Sequence, residues 1–465
     1  MNQKNQNSLF TGKNGENYLF PFILITSLFF LWGFAHSLLD VLNKHFQDSL
    51  HLTKAQSGAV QAAAYGAYFL MAIPAGIVAR KYGFKRGILV GLTLFAAGAF
   101  WFVPAVGINA FWAFLIGLLV LFAGLTFLET VANPYTTLLG PADKAASRIN
   151  LAQTFNALGW IMGPLIGSIL IFKNNSNQSI LELFIQALKK VFLGLKDISD
   201  AIPLENIKSH TENSALIVPY VGLGLLVLLV LVMFVFAKLP EVNAASISHD
   251  EDSPESDAGK KEIPLSRQRH FVLAVVAQFL YVAAQTGIGS FFINYTIEVK
   301  EVKLTEIQGG LLLGLGGMLL FAIGRLSGSM IMKKVKAGTL LGLCALANTL
   351  LMLAVTQVHN RFGVMALICS YLFMSIMFPS IFALGLTGLG DKTKTASSIL
   401  ILTIVGGAIA PALMGWIGAE KMNLGFIIPL VCFLYISFYG FVGSKVKNRH
   451  AQQDSPNHMQ GNAQT

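Results

Sequence analysis

The sequence predicts an all-α membrane protein: twelve transmembrane helices arranged as two six-helix pseudo-repeats. Three observations carry that prediction. Apolar residues make up 54% of the 465 residues, charged residues only 12%, and mean hydropathy is +0.63, whereas soluble domains carry about 25% charged residues. Stretches long enough to cross ~30 Å of hydrocarbon recur about a dozen times along the chain. Two segments of the first half also return in the second half at one constant offset.

The spans are expected near 18–44, 55–79, 86–106, 110–139, 148–172, 215–237, 270–297, 306–331, 338–356, 362–390, 394–419 and 424–444. Residues 1–17 form a polar N-terminal tail. The first apolar run is too long for a signal peptide and lacks a small-residue cleavage site, so it should remain as the first span. The split near 106–110 rests on a short polar gap. Residues 18–238 make the first bundle, with an outer loop at 173–214, and 270–445 make the second. In that loop "ILELFIQALKKVFLGLKDI" has the apolar spacing of an amphipathic helix, suited to a lid-like cap or a surface-lying segment. Between the bundles, 239–269 is acidic, then basic, and rich in Ser and Pro, the composition of a flexible linker. A polar tail, 446–465, ends the chain. Cys344, Cys369 and Cys432 all fall inside spans without metal or redox spacing, so no disulfide is expected.

The repeat is read from two pairs. "AIPAGIVARKYGFK" begins at Ala72 and "AIGRLSGSMIMKKVK" at Ala322, an offset of 250 residues; "LGPADKAAS" begins at Leu139 and "LGDKTKTAS" at Leu389, again 250. Six spans per half keep both repeats in the same orientation, related by an axis along the membrane normal. A binding site is then expected between the halves near the midplane.

The net charge of +10 raises nucleic acid as a partner, but its placement points to topology. With both termini cytoplasmic, 21 of the 33 Lys and Arg fall on the inner side, 11 on the outer side, and Arg325 within a span. That is the positive-inside pattern. No nucleic-acid partner is expected. The lipid bilayer is.

Of 23 acidic residues, Asp40 and Glu129 lie well inside spans. Intramembrane ionisable groups are costly and mark ion or substrate paths. In the first span Gly33, His36, Ser37, Asp40 and Lys44 share a helical face, and in the fourth Thr126, Glu129, Asn133, Thr136 and Thr137 form a similar stripe. The fifth offers Asn150, Gln153 and Asn156; the seventh Gln278, Tyr281, Gln285 and Asn294. Such stripes must face water or one another. Carboxylates, amides and aromatics together suit a sugar, whose hydroxyls need paired donors and acceptors.

Asp40 has two readings: an ion pair with Lys44 one turn on, or a proton carrier. A carboxyl group in hydrocarbon favours its neutral form and one facing water its charged form, so alternating access can load and release a proton. Glu129 has no basic residue within one turn. His36 is a relay partner for Asp40 or a hydrogen-bonded neighbour, and Arg325 an interface pair or a substrate contact. The glycine-rich "GGLLLGLGGM" at 309–318 lies in a span and suits close helix packing. No metal-ligand cluster, P-loop, nucleophile elbow or HExxH occurs. Neither an enzyme nor an ATP-driven pump is expected, and no cofactor.

From about residue 18 to 445 the chain resembles the major facilitator superfamily, and within it the fucose–proton symporter family. "SLFFLWGFAHSLLDVL" (27–42), "GLTFLETVANPYTTLLGP" (124–141) and "RINLAQTFNALG" (148–159) carry the resemblance, with "AQFLYVAAQTG" (277–287) and "FMSIMFPSIFALGL" (373–386). The superfamily loop after the second span is present as Gly76, Lys81, Gly83 and Lys85, with the basic Arg80 at the usual aspartate position, as in fucose permeases. The resemblance implies the major facilitator fold. It implies proton coupling through Asp40 and Glu129, sugar binding through Glu129, Gln153 and Asn156, and a neighbouring aromatic in Trp32. Two positions depart from the fucose pattern: His36-Ser37 replaces two asparagines, and Phe378-Pro379 replaces Tyr-Pro. Glucose/galactose and N-acetylglucosamine carriers of the same family are therefore alternatives to L-fucose.

The expected function is an inner-membrane sugar–proton symporter, monomeric because each chain closes its own cavity. Asp40 carries the proton. Glu129 binds sugar, with Trp32, His36, Ser37, Asn133, Gln153, Asn156, Gln278, Gln285 and Phe378 as further contacts. A drug–proton antiporter, a non-transporting sugar sensor and sodium coupling are the rivals.

Overall fold

The computed structural model describes residues 18–139, 145–172, 180–194, 213–237, 239, 264–332, 334–389 and 392–445. The N-terminal tail, most of the linker, the C-terminal tail and parts of the 173–214 loop lie outside these residues. All twelve expected spans are helices: α1 (Leu19–Ser49), α2 (Lys54–Ala79), α3 (Phe84–Ile108), α4 (Phe111–Asn133), α5 (Leu151–Ile171), α6 (Asn213–Phe236), α7 (Arg269–Glu298), α8 (Glu306–Gly328), α9 (Ala337–Gln357), α10 (Arg361–Leu386), α11 (Ser398–Ile417) and α12 (Met422–Gly443).

The ends of these helices have local causes. Helix α1 runs past the expected 44 because the polar residues there find partners. Lys44 pairs with Asp48 and, at 3.7 Å, with Glu306; His45 Nε2 lies 3.2 Å from Asn213 Oδ1; Gln47 donates to Ser57 Oγ at 2.8 Å. The turn between α3 and α4 is made by Asn109 at φ 51°, the left-handed conformation that Asn tolerates better than most side chains. Helices α2 and α8 both start with a capping box, Thr53 with Gln56 and Thr305 with Gln308. The two helices are the second of their respective halves, so the repeat extends to their caps.

Two apolar cores form, one per six helices. The first draws mainly on residues from Phe22 to Ala237, with Ile293 of α7, and the second mainly on Phe271 to Tyr439. Within each bundle, small residues set the helix spacing. A Cβ at Gly98 would strike the backbone of Leu121, and one at Gly124 the backbone of Phe95, so α3 and α4 touch along glycines. The short helix Ile180–Leu188, continued through Leu193, sits with the second core, into which it sends Ala187 and Val191. The described helical part of the 173–214 loop therefore packs on the second bundle.

The bundles meet in a seam near one face, that of the α1–α2, α7–α8 and α11–α12 turns. There Asn43 donates to the Ser290 carbonyl at 2.6 Å, and Asn294 to Gln47 Oε1 at 2.5 Å. Lys54 pairs with Glu298 at 2.5 Å and donates to the Gly418 carbonyl at 2.8 Å. Backbones also approach across the seam, Gly415 facing Lys54 and Ala55 and Gly58 facing Ala412, and Gly310 makes room for the Ser168 side chain. The run 309–318 does serve close packing, and Leu312–Met318 within it takes π-helical form against α5. Interhelical hydrogen bonds in membranes average about 0.6 kcal/mol. A few such bonds close this face without locking it.

If this seam opens during a working cycle, tethering it stops the cycle. Gln47→Cys with Asn294→Cys, in a chain lacking the three native cysteines, should be joined by a short bifunctional thiosulfonate reagent, with loss of more than nine-tenths of activity that reductant restores. Full activity in the joined protein would show that the seam does not move.

Candidate functional site

Three helices of the first bundle place the polar cluster. On α1, Trp32, His36 and Asp40 recur every four residues and share one face. On α2, the stretch "GAVQAAAYGAYF" (58–69) puts Gln61, Tyr65 and Tyr68 on one stripe. Helix α4 brings Glu129, half-buried.

Tyr68 joins these residues. Its hydroxyl is hydrogen-bonded to the Glu129 carboxyl group and accepts from the Trp32 indole. His36 Nε2 lies 2.9 Å from the same oxygen. The His36 ring is enclosed by aromatics: ring centres lie 4.9 Å from Phe122, 5.3 Å from Tyr68, 5.7 Å from Trp160 and 6.0 Å from Tyr65. Tyr65 is hydrogen-bonded in turn to Thr286 of α7. The cluster thus touches the second bundle.

Asp40 sits apart, on the seam. It is 6% exposed, accepts from Gln61 Nε2 at 3.3 Å, and its carboxyl group lies where a Cβ on Gly289 of α7 would be. The absent side chain at Gly289 makes room for it. Lys44 turns to Asp48 and Glu306 instead, so the local ion pair with Asp40 does not form. Among the described residues neither Asp40 nor Glu129 is in an ion pair. The Tyr371 hydroxyl, near enough to Asp40 to feel its charge, is buried without a hydrogen-bond partner.

The other expected site residues divide. Asn133 is half-buried and donates to the Glu129 carbonyl at 3.1 Å; Gln153 and Gln285 are half-buried. Asn156 and Ser37 are buried in the α1–α5 contact. Asn156 donates to the Phe29 carbonyl at 3.1 Å, and Ser37 to the Phe34 carbonyl at 3.1 Å and the Gly159 carbonyl at 3.3 Å. Their donors join the two helices here. The Asn150 side chain is outside the described residues. In the second bundle Phe378 packs on Tyr281 with ring centres 6.1 Å apart, and Tyr281 donates to the Met374 carbonyl at 3.0 Å. Gln278, one turn from Tyr281, is fully buried with both amide atoms unpartnered. Arg325 lies over the Phe321 ring at 5.2 Å, and its Nε has no hydrogen-bond partner.

Gln61, Tyr65, Tyr68 and Trp160 were not anticipated. The α2 stripe has the same four-and-three spacing that singled out α1 and was legible on that rule. Trp160 and Gly289 carry no local signal, because their place follows from how α5 and α7 pack. Among the described residues, no group of three or more His, Cys, Asp or Glu could hold a metal ion.

Residues 24–193 match the Major Facilitator Superfamily. The chain is 36% identical to the L-fucose-proton symporter of Escherichia coli (strain K12) over 428 residues, covering 91% of this chain and 93% of that protein. It is 34% identical to a glucose/galactose transporter of Brucella abortus, covering 92% and 95%. Its structure is similar to that of a Major Facilitator Superfamily transporter, FucP, in the outward conformation, with TM-score 0.61 and 36% identity over 91% of this chain and 98% of that one.

Filling the space at Gly289 tests the fit of Asp40 to the seam. Gly289→Leu should hold this face apart, so that Asn43→Cys in detergent-solubilised protein reacts with a maleimide about tenfold faster, since a buried large side chain has no room without movement. An unchanged labelling rate would show that the carboxyl group does not depend on that space.

Proposed function

The chain belongs to the Major Facilitator Superfamily, within the family of fucose–proton symporters and glucose/galactose transporters, and from that premise we propose that it is a proton-coupled monosaccharide importer of the cell inner membrane. It is a multi-pass membrane transporter, not an enzyme. L-fucose is the first substrate to consider and glucose or galactose the second. The relatives' names supply both, and His36-Ser37 in place of two asparagines is the reason for keeping the second.

The observation that carries the reading is where the two carboxyl groups lie. Asp40 is on the seam, against the other bundle, so opening this face changes its surroundings from protein to water. Glu129 is within the first bundle, half-buried and held by Tyr68. A group whose burial changes with the seam suits proton carriage, because the charged form is disfavoured while the seam is shut. A group that stays reachable suits sugar hydroxyls. The two tasks fall to separate carboxyls.

The excess of basic residues on the opposite side supports a seam face that lies outside and termini that are both cytoplasmic. The structure is then the outward-closed half of an alternating-access cycle. In the outward-open half, Asp40 takes a proton and the sugar meets Glu129, Trp32, Gln153 and Gln285. The seam closes over a neutral Asp40. An unprotonated Asp40 would be enclosed as a bare charge with Gln61 as its hydrogen-bond donor, which opposes closure. That energetic asymmetry is the coupling. A monomer suffices, since both halves of the site come from one chain.

Two measurements test this. Lightly buffered, energy-depleted cells given L-fucose, D-galactose or D-glucose should show external alkalinisation with at least one sugar, abolished in Asp40→Asn; sugar uptake with no pH change would exclude proton coupling. His51→Cys, on the seam face, should react with an impermeant maleimide in intact cells, and protection until lysis would reverse the topology.

A further inference from the structure

The Tyr68 hydroxyl has one proton to give and two lone pairs to receive with, and three groups converge on it. Trp32 is an indole and can only donate, so it takes one lone pair. In the sugar-binding state, with Glu129 ionised, the carboxylate can only accept, so it takes the Tyr68 proton. His36 Nε2, at 2.9 Å, must then donate to the second lone pair. With Glu129 ionised, this arrangement calls for the Nε2–H tautomer of the imidazole and leaves Nδ1 bare. The surroundings agree: His36 Nδ1 is buried with no hydrogen-bond partner, and the rings of Phe122, Trp160 and Tyr65 pack around it. A bare lone pair there costs less than an unmatched N–H and an unmatched tyrosine oxygen together.

We propose that Tyr68 is the positioning residue for Glu129: it holds the carboxylate in place for the sugar and is itself held by Trp32 and His36. The inference rests on the reading of Glu129 as a sugar-binding group. Tyr68 need not touch the sugar. It takes one direction of the carboxylate and leaves the remaining lone pairs of the half-buried Glu129 for sugar hydroxyls to donate to. His36 acts through Tyr68 alone, by supplying an N–H at a fixed position. The asparagine-to-histidine departure at residue 36 then concerns orientation of the carboxylate, not a direct sugar contact.

The test separates this from a merely structural role. In proteoliposomes of full-length protein, Tyr68→Phe keeps the ring and removes the hydroxyl. The KM for the transported sugar should rise about tenfold, as for loss of a charged hydrogen-bond partner, with Vmax within about twofold because ground-state and transition-state binding fall together. His36→Gln, whose amide can still donate, should stay within about twofold of wild type, whereas His36→Leu should resemble Tyr68→Phe. The double variant Tyr68→Phe/His36→Leu should be no worse than either single one, since the two act on one object.

Three results overturn the proposal. These are an unchanged KM with reduced Vmax in Tyr68→Phe, His36→Gln as impaired as His36→Leu, or effects that multiply in the double variant. A second arm needs no sugar. With ¹⁵N-labelled histidine, the resonances lost in His36→Gln should report a neutral Nε2–H ring in wild type and a shifted tautomer balance in Tyr68→Phe. An Nδ1–H ring, or one indifferent to Tyr68, refutes the hub. If wild type moves none of the three sugars, the sugar reading fails, and the histidine spectrum still decides whether the hub exists.

Discussion

Two carboxyl groups within the helices of a membrane protein, without a basic partner among the described residues, are the constraint to which the rest of this structure answers. Among the described residues neither Asp40 nor Glu129 is ion-paired, although Lys44 stands one turn from Asp40 on the same helix. The fold spends that lysine on Asp48 and Glu306. An ion pair inside the bundle would fix the charge of Asp40 permanently. Without one, its charge is left to whatever the surroundings allow at each stage. The polar partners that remain, Gln61 for Asp40 and Tyr68 for Glu129, are uncharged and weak enough to be exchanged.

Close helix packing makes this placement possible. Asp40 fits the seam because residue 289 has no side chain. The same economy recurs where α1 meets α5: a Cβ at Gly159 would strike the backbone of Phe30 and Phe34, and one at Gly163 the Ser37 hydroxyl. Lipid offers helices no hydrophobic drive to associate, so contact area and interhelical hydrogen bonds do that work. Asn156 and Ser37 serve it here. The polar cluster with Tyr68 and the packing against α5 therefore use adjacent residues of the one helix, His36 and Ser37, separated by about 100° of rotation.

The seam itself is polar and modest. Asn43 to Ser290, Asn294 to Gln47 and Lys54 to Glu298 join the bundles near one face, and each bundle keeps its own apolar core. Two rigid bodies joined by a few exchangeable bonds are suited to rocking, because the interface can be remade elsewhere while the cores stay packed. The helix Ile180–Leu188, which falls between the two bundles in sequence, packs on the second.

The sequence by itself determined the twelve spans, the six-and-six division, the repeat and the two intramembrane carboxylates. These follow from local physics: hydrocarbon thickness, hydropathy and the cost of charge are the same wherever a segment ends up. It also determined that Trp32, His36 and Asp40 share a face, since helical periodicity suffices. What faces that stripe was decided only by tertiary structure. Periodicity locates a polar side chain around its own axis but says nothing of which helix lies opposite. Lys44 stands four residues from both Asp40 and Asp48, so spacing left its partner open; the tertiary structure gave it to Asp48 and added Glu306 of α8. Ser37 and Asn156 were expected as substrate contacts through the family resemblance, and only the tertiary structure shows them also joining α1 to α5. Gln61, Tyr65 and Tyr68 were legible as a stripe, but their convergence with Glu129 and His36 required α2 and α4 to close around α1. Gly289 had no signal at all, because the absence of a side chain acquires meaning only when another residue occupies the space.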